Sequence, residues 1–234
     1  MRSRWLRVGR ATSTALIAAG VLALADAAVT VAWQEPVTAL QAAVRAGSLA
    51  DELEALERAG PTRAELRRLA GERDARERTR VLAAGLRERT RPGDAVGRVV
   101  LPRLGVDEVV VAGSAGPALE RGPGLFDGQP WPGEGGTVAV AGHRTTFGAP
   151  FRDLDRLRPG DRVEVRLPYV VARYAVVRTR VVEPSAVWVL RDRGRERLLL
   201  TACHPVFSAA QRIVVEARLV EHLPTQRARA TRAT

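Results

Sequence analysis

The sequence predicts a mainly β domain over residues 95–222, closed as a barrel or folded as a sandwich, behind a membrane-spanning segment and a helical stretch. Three observations carry this. The chain has 234 residues, enough for one sizeable domain with appendages but not for two full ones. Its first third carries helix signals at a period of three to four residues, whereas from Ala95 onward short β-branched runs alternate with turn residues. An apolar run near the N-terminus stands behind a cluster of arginines.

The elements follow in order. Residues 1–13 form a basic N-terminus containing Arg2, Arg4, Arg7 and Arg10. The apolar run from Thr14 to Trp33, broken only by Asp26, is about as long as a bilayer core is thick, and the arginines should stay inside. That predicts a single-pass anchor with the rest of the chain outside the cytoplasm. Ala23-Leu24-Ala25 also resembles a signal-peptidase site, but the apolar stretch resumes at Ala27, which favours an uncleaved anchor.

Residues 34–94 read as a helical stalk. Leu49, Leu53 and Leu56 share a helix face, with Ser48 and Asp51 spaced as a capping box. Gly60-Pro61 ends that helix, and Thr62 with Glu65 opens another, expected to run to about Leu86 with Gly71 as a weak point. Charges dominate its surface, so a spacer without a broad packed face is expected.

Strands are predicted at Val96–Leu101, Val106–Val111, Thr137–Ala141, Asp161–Leu167, Arg173–Val182, Val187–Leu190, Arg197–Ala202 and Arg212–Val220. A short helix is expected around Leu154 and Leu157, and a long Gly/Pro-rich surface excursion over residues 113–136. The tail 223–234 is basic and expected to be disordered.

Composition narrows the function. The net charge is +11, with 37 basic residues, all of them arginine. Such charge favours anionic surfaces. Scarce aromatics (4 %) argue against nucleic acid, whose bases stack on aromatic side chains. The single cysteine, Cys203, excludes an internal disulfide. On an exported chain it is either a reactive thiol or a small buried hydrophobe.

Two apolar strands end in chemically capable residues. Thr137–Ala141 runs into Gly142-His143-Arg144, and Arg197–Ala202 runs into Cys203-His204-Pro205. A thiol needs a neighbouring base or cation to become nucleophilic, and acyl transfer needs a donor for the developing oxyanion. His143 suits the first role and Arg212, at the start of the next strand, the second. Ile213, Val215, Ala217 and Leu219 share one face of that strand, and Arg212 lies on the other with Val214, Glu216 and Arg218. His204 reads as a turn residue rather than a second base. A zinc site from His143, Cys203 and His204 lacks a ligand pair at metal-like spacing.

At this point the sequence resembles the sortase family. Thr137-Val138-Ala139-Val140-Ala141-Gly142-His143-Arg144 and Leu199-Leu200-Thr201-Ala202-Cys203, followed by Arg212, are similar to the His, Cys and Arg motifs of sortases. Thr145-Thr146-Phe147-Gly148-Ala149-Pro150-Phe151 and Cys203-His204-Pro205, with Phe207-Ser208 before Gln211-Arg212, look like the class E housekeeping enzymes of high-GC actinobacteria. Ala202 departs from the usual Thr before the Cys, and Leu199 stands where many members have Thr. The resemblance implies an eight-stranded sortase-type β-barrel and catalytic residues His143, Cys203 and Arg212. It implies cleavage of an LPxTG- or LAxTG-like signal after Thr, a thioester, and transfer to an amino group of a peptidoglycan precursor. Its partners are surface proteins carrying that signal; neither cofactor nor metal is required. The rival readings are a cell-wall cysteine hydrolase and a non-catalytic extracytoplasmic β-domain.

Overall fold

Helices precede a run of short strands in the computed structural model, which describes residues 36–225, with side chains from residue 46, and positions 17, 20 and 21. The anchor expected at 14–33, apart from those three positions, and the tail from residue 226 lie outside the described residues. Among those described, no helix is long and apolar enough to cross a membrane. Residues 41–234 form one unit, and the described part of the other, residues 1–40, is chiefly the opening of the first helix.

Helix α1 (Pro36–Ala59) is continuous. Ser48 therefore sits inside it and caps nothing, because a helix already propagating supplies the backbone acceptors that a cap would replace. Gly60, at φ 65°, ends it. Helix α2 (Arg63–Leu69) opens with the Thr62–Glu65 capping box: Glu65 N donates to Thr62 Oγ1 (3.2 Å), and Thr62 N donates to Glu65 Oε2 (2.6 Å). It stops earlier than expected. Gly71 adopts φ 83°, and the Asp74 carboxylate accepts from Arg76 N and Glu77 N to start a new helix, α3 (Ala75–Arg89).

These helices are packed, contrary to the polar-faced spacer expected. Leu69, Leu82, Ala83 and Leu86 join the same buried cluster as Val96, Val99 and Leu101. Leu49 and Leu53 pack with Ala95, Val109 and Val111. The arginine-rich outer faces conceal a narrow apolar stripe, and a barrel wall needs no more than that to bury it.

The strands are β1 (Ala95–Leu101), β2 (Val106–Ala112), β3 (Gly124–Leu125), β4 (Thr137–Ala141), β5 (Arg162–Leu167), β6 (Val170–Val182), β7 (Arg197–His204) and β8 (Gln211–Pro224). They close in the order β1-β2-β3-β4-β7-β8-β6-β5. Among the described residues eight strands form, but not quite the eight expected. Val187–Leu190 is a 3-10 turn, since a closed barrel offers it no free edge to pair with. In its place β3 arises inside the 113–136 excursion, parallel to β2 and antiparallel to β4, with Leu125 and Trp131 buried. A short helix α4 (Gly116–Leu119) precedes β3. The helix expected near Leu154 is one 3-10 turn, Leu154–Arg156. β8 outruns its predicted end, pairing His222 with Ala172 and Pro224 with Val170.

Candidate active site

β4 and β7 lie parallel, in register from Thr137↔Arg197 to Ala141↔Thr201, and β8 lies antiparallel beside β7. Along β7, Leu198 and Leu200 enter the barrel core, while Leu199, Thr201 and Cys203 border a groove on the outside. Val214 and Arg212 border it from β8, and Ala139 and Ala141 from β4. Cys203 and Arg212 are directly opposed across the β7–β8 ladder. Opposed residues hold their Cβ atoms about 5 Å apart, so the two side chains leave the sheet on the same face. His143, two residues beyond β4, borders the same groove. The three residues singled out from sequence are thus brought together in one groove of about 310 Å³.

The groove is largely apolar. Ala139, Leu199 and Val214 are buried in its floor, with Phe126, Val182, Val189 and Leu190 packed against them. The segment from Glu183 to Leu190 forms one wall and Leu119 of α4 part of another. None of these wall residues was assigned a site role from sequence, because two of the walls come from the misread excursion and the misread strand. Ala202 is 4 % exposed and sits in the core cluster, and with Thr201 it also borders the groove.

Each polar group has a defined environment. Arg212 Nη1 donates to the carbonyls of Ala209 and Gln211 (both 2.9 Å), which pins the turn between β7 and β8. Burial pushes the His143 imidazole below its ordinary pKa, against a weaker opposing pull from Glu120. The ring lies 3.3 Å (Nδ1) from Thr146 Oγ1 and stacks obliquely on Phe147 with centroids 4.8 Å apart. Its Nε2 is buried without a hydrogen-bond partner among the described residues. A neutral imidazole with one nitrogen unengaged can take or give a proton when a ligand brings one. Gly142 is required by packing: a Cβ there would stand 2.5 Å from the Phe151 ring.

His204 is the last residue of β7 rather than part of a turn. Its Nδ1 accepts a hydrogen bond from Arg144 Nη1 at 2.7 Å. Arg144, quoted in the sequence motif but given no role, is 3 % exposed. It also donates to the Arg152 carbonyl (2.9 Å) and pairs with Asp155 (2.8 Å). Among the described residues no three His, Cys, Asp or Glu side chains cluster as a metal site.

Comparison with known proteins identifies the family. Residues 99–220 match the sortase domain family. The chain is 29 % identical over 132 residues to Sortase D of Bacillus subtilis (strain 168), covering 55 % of this chain and 65 % of that protein. It is 33 % identical over 151 residues to Sortase SrtE1 of Streptomyces coelicolor, covering 57 % of this chain and 42 % of that one. The matches therefore span less than two thirds of either relative's length. A crystal structure of Sortase E1 from Streptomyces coelicolor with a tripeptide in the active site superposes with TM-score 0.54 at 29 % identity, covering 58 % of this chain and 93 % of that one.

Proposed function

Because the chain belongs to the sortase family, we propose that it is a membrane-anchored cysteine transpeptidase that joins surface proteins to the cell wall. Its substrate is an LPxTG- or LAxTG-like sorting signal, and its acceptor an amino group of a peptidoglycan precursor. The observation that carries this reading is the register pairing of Cys203 with Arg212 at a groove that His143 also borders.

The reaction follows from the groups present. Cys203 gives its thiol proton to His143, and the resulting thiolate attacks the carbonyl carbon of the signal's Thr. The carbonyl oxygen becomes an oxyanion, and Arg212, adjacent to the thiol, stabilises it electrostatically. The C–N bond breaks as His143 delivers a proton to the leaving amine, and a thioester remains on Cys203. The acceptor amine then enters, His143 removes its proton, and a second oxyanion collapses to the new amide with the thiolate expelled. Since one peptide bond is exchanged for another, the reaction needs no oxidant. The apolar floor of Ala139, Leu199 and Val214 suits the apolar side chain of the signal's leucine.

The placement outside the cytoplasm is part of the same proposal. It is supported by four arginines preceding the apolar run at 14–33, which favour a cytoplasmic N-terminus and an exported domain. The sorted substrates come to the membrane face, so an anchored enzyme meets them there.

The test is direct. The soluble domain, from residue 36, is incubated with LPxTG and LAxTG peptides and an amine such as triglycine, and products are read by mass. A ligated peptide, absent with Cys203→Ala, is the expected result. Free acid alone, whatever the amine concentration, would make the protein a hydrolase, and no turnover of any peptide would sink the proposal. Digestion of the domain by protease added to wall-stripped cells tests the topology.

A further inference from the structure

The β4–β7 ladder stops just short of the two residues that must cooperate. Its last pair is Ala141↔Thr201, closed by Gly142 N donating to the Thr201 carbonyl at 3.0 Å. His143 and Cys203 both lie beyond that rung, where β7 continues against β8 but β4 has ended. What links the two chains past the rung is a side-chain bond between their sequence neighbours. Arg144 follows His143, His204 follows Cys203, and Arg144 Nη1 donates to His204 Nδ1 at 2.7 Å.

We propose that Arg144 is a positioning residue for the reaction, and that its bond to His204 sets the reach between His143 and Cys203. The remaining prongs of the guanidinium make it a fixed point. Nε donates to the Arg152 carbonyl at 2.9 Å, and Nη2 pairs at 2.8 Å with Asp155, in the 3-10 turn that follows the His143 loop. The side chain is 2 % exposed. A guanidinium so deeply desolvated is costly unless its donors are satisfied, and here each of its three nitrogens has a partner. A lysine ammonium is a point charge and cannot span the end of β7, the loop and the turn at once.

The bond also settles what His204 does. Arginine can only donate, so His204 Nδ1 must be the acceptor, and the neutral ring carries its proton on Nε2. Neither Arg144 nor His204 lines the groove. Their effect on the reaction therefore passes through the placement of their neighbours rather than through contact with substrate. Misplacing two reacting groups by about 1 Å costs on the order of a hundredfold in rate, while substrate affinity is spared.

The proposal rests on the transpeptidase reading, and the experiment separates the two. Steady-state kinetics of sorting-peptide cleavage are compared for the unaltered domain, His204→Leu, His204→Asn, Arg144→Lys and Arg144→Lys/His204→Leu. In parallel, iodoacetamide alkylation of Cys203 reports the thiol's surroundings without any peptide. His204→Leu should lower kcat roughly ten- to a hundredfold with KM within about twofold, and slow alkylation. His204→Asn keeps an acceptor oxygen near the position of Nδ1 and should restore most of the activity. Arg144→Lys should restore little, and the double variant should be no worse than the poorer single one, because both changes remove one bond. Undiminished kcat in His204→Leu, failure of Asn to rescue, or losses that multiply in the double variant would each overturn the proposal. If Arg144→Lys shows no cooperative melting, the His204 pair decides alone. Should the unaltered domain cleave no peptide, the transpeptidase reading fails, and the alkylation rates of the same variants decide the Arg144 role.

Discussion

At the scale of single residues, the site depends on three groups whose replacements have separable consequences. Cys203→Ala removes the proposed nucleophile and should abolish both cleavage and the covalent intermediate seen by mass, with the melting temperature unchanged. Loss of the Arg212 guanidinium should cost about 3 kcal/mol of transition-state stabilisation, or about a hundredfold in kcat. Arg212→Lys should recover little, since one ammonium cannot both hold the Ala209 and Gln211 carbonyls and address the oxyanion. His143 carries a pH signature of its own. Burial lowers its folded pKa, so between that value and about 6.5 the unfolded chain binds a proton that the folded chain refuses. Folding stability is therefore lost as pH falls through that window. Melting curves between pH 8 and pH 5 should show a larger loss in the unaltered domain than in His143→Gln. Equal losses would mean that His143 is not desolvated.

At the scale of elements, local capping and long-range packing hold different parts of the helical region. Thr62→Ala removes the reciprocal bonds that start α2 and should cost about 1 kcal/mol. Leu82→Ala empties a place in the main core from α3 and should cost about 2–5 kcal/mol. Urea denaturation of the two variants measures both, and the larger loss should fall on Leu82. The ends of β4 and β7 are as demanding. Gly142→Ala would drive a methyl group into the Phe151 ring, displacing the loop that carries His143. It should cost about 1–3 kcal/mol and depress kcat more than KM. Unaltered kinetics would show that the loop yields without moving the imidazole.

At the scale of the molecule, two features organise the chain. The barrel closes on itself, and the helices seal its side with Leu69, Leu82 and Leu86. A chain truncated to begin at residue 91 would expose those contacts and should lose roughly 5 kcal/mol of stability, at about 1.5–3 kcal/mol per leucine. A truncated domain that melts like the full one would contradict the packing described above. The charge excess is organised as well. Glu164, nearly buried, is met by Arg162, Arg166 and Arg173, and Glu216 by Arg178, Arg180 and Arg197. Burial alone would raise the Glu164 pKa, but the hydrogen bonds from Arg166 and Arg162 outweigh it and hold the carboxyl below its ordinary range.

What the sequence determined by itself was whatever depends on neighbours along the chain. The alternation of Ile213, Val215 and Ala217 placed Arg212 on the outer face of β8, because side chains on a strand alternate strictly. The Thr62–Glu65 cap and the Gly60 stop were legible because each is complete within four residues. Motif order pointed to His143, Cys203 and Arg212 together. The tertiary structure decided everything that needs a distant partner. Whether Val187–Leu190 or Gly124–Leu125 becomes the eighth strand is settled by which segment meets an open ladder, and only closure of the barrel reveals that. Whether α3 floats or packs depends on Val96, Val99 and Leu101 lying beneath it. Arg144 reads as one more arginine among 37 until β4 and β7 come side by side and put His204 within 2.7 Å of it. Hydrogen bonds and burial act over a few ångströms in space whatever the separation in sequence, so these partners exist only once the fold has brought them together.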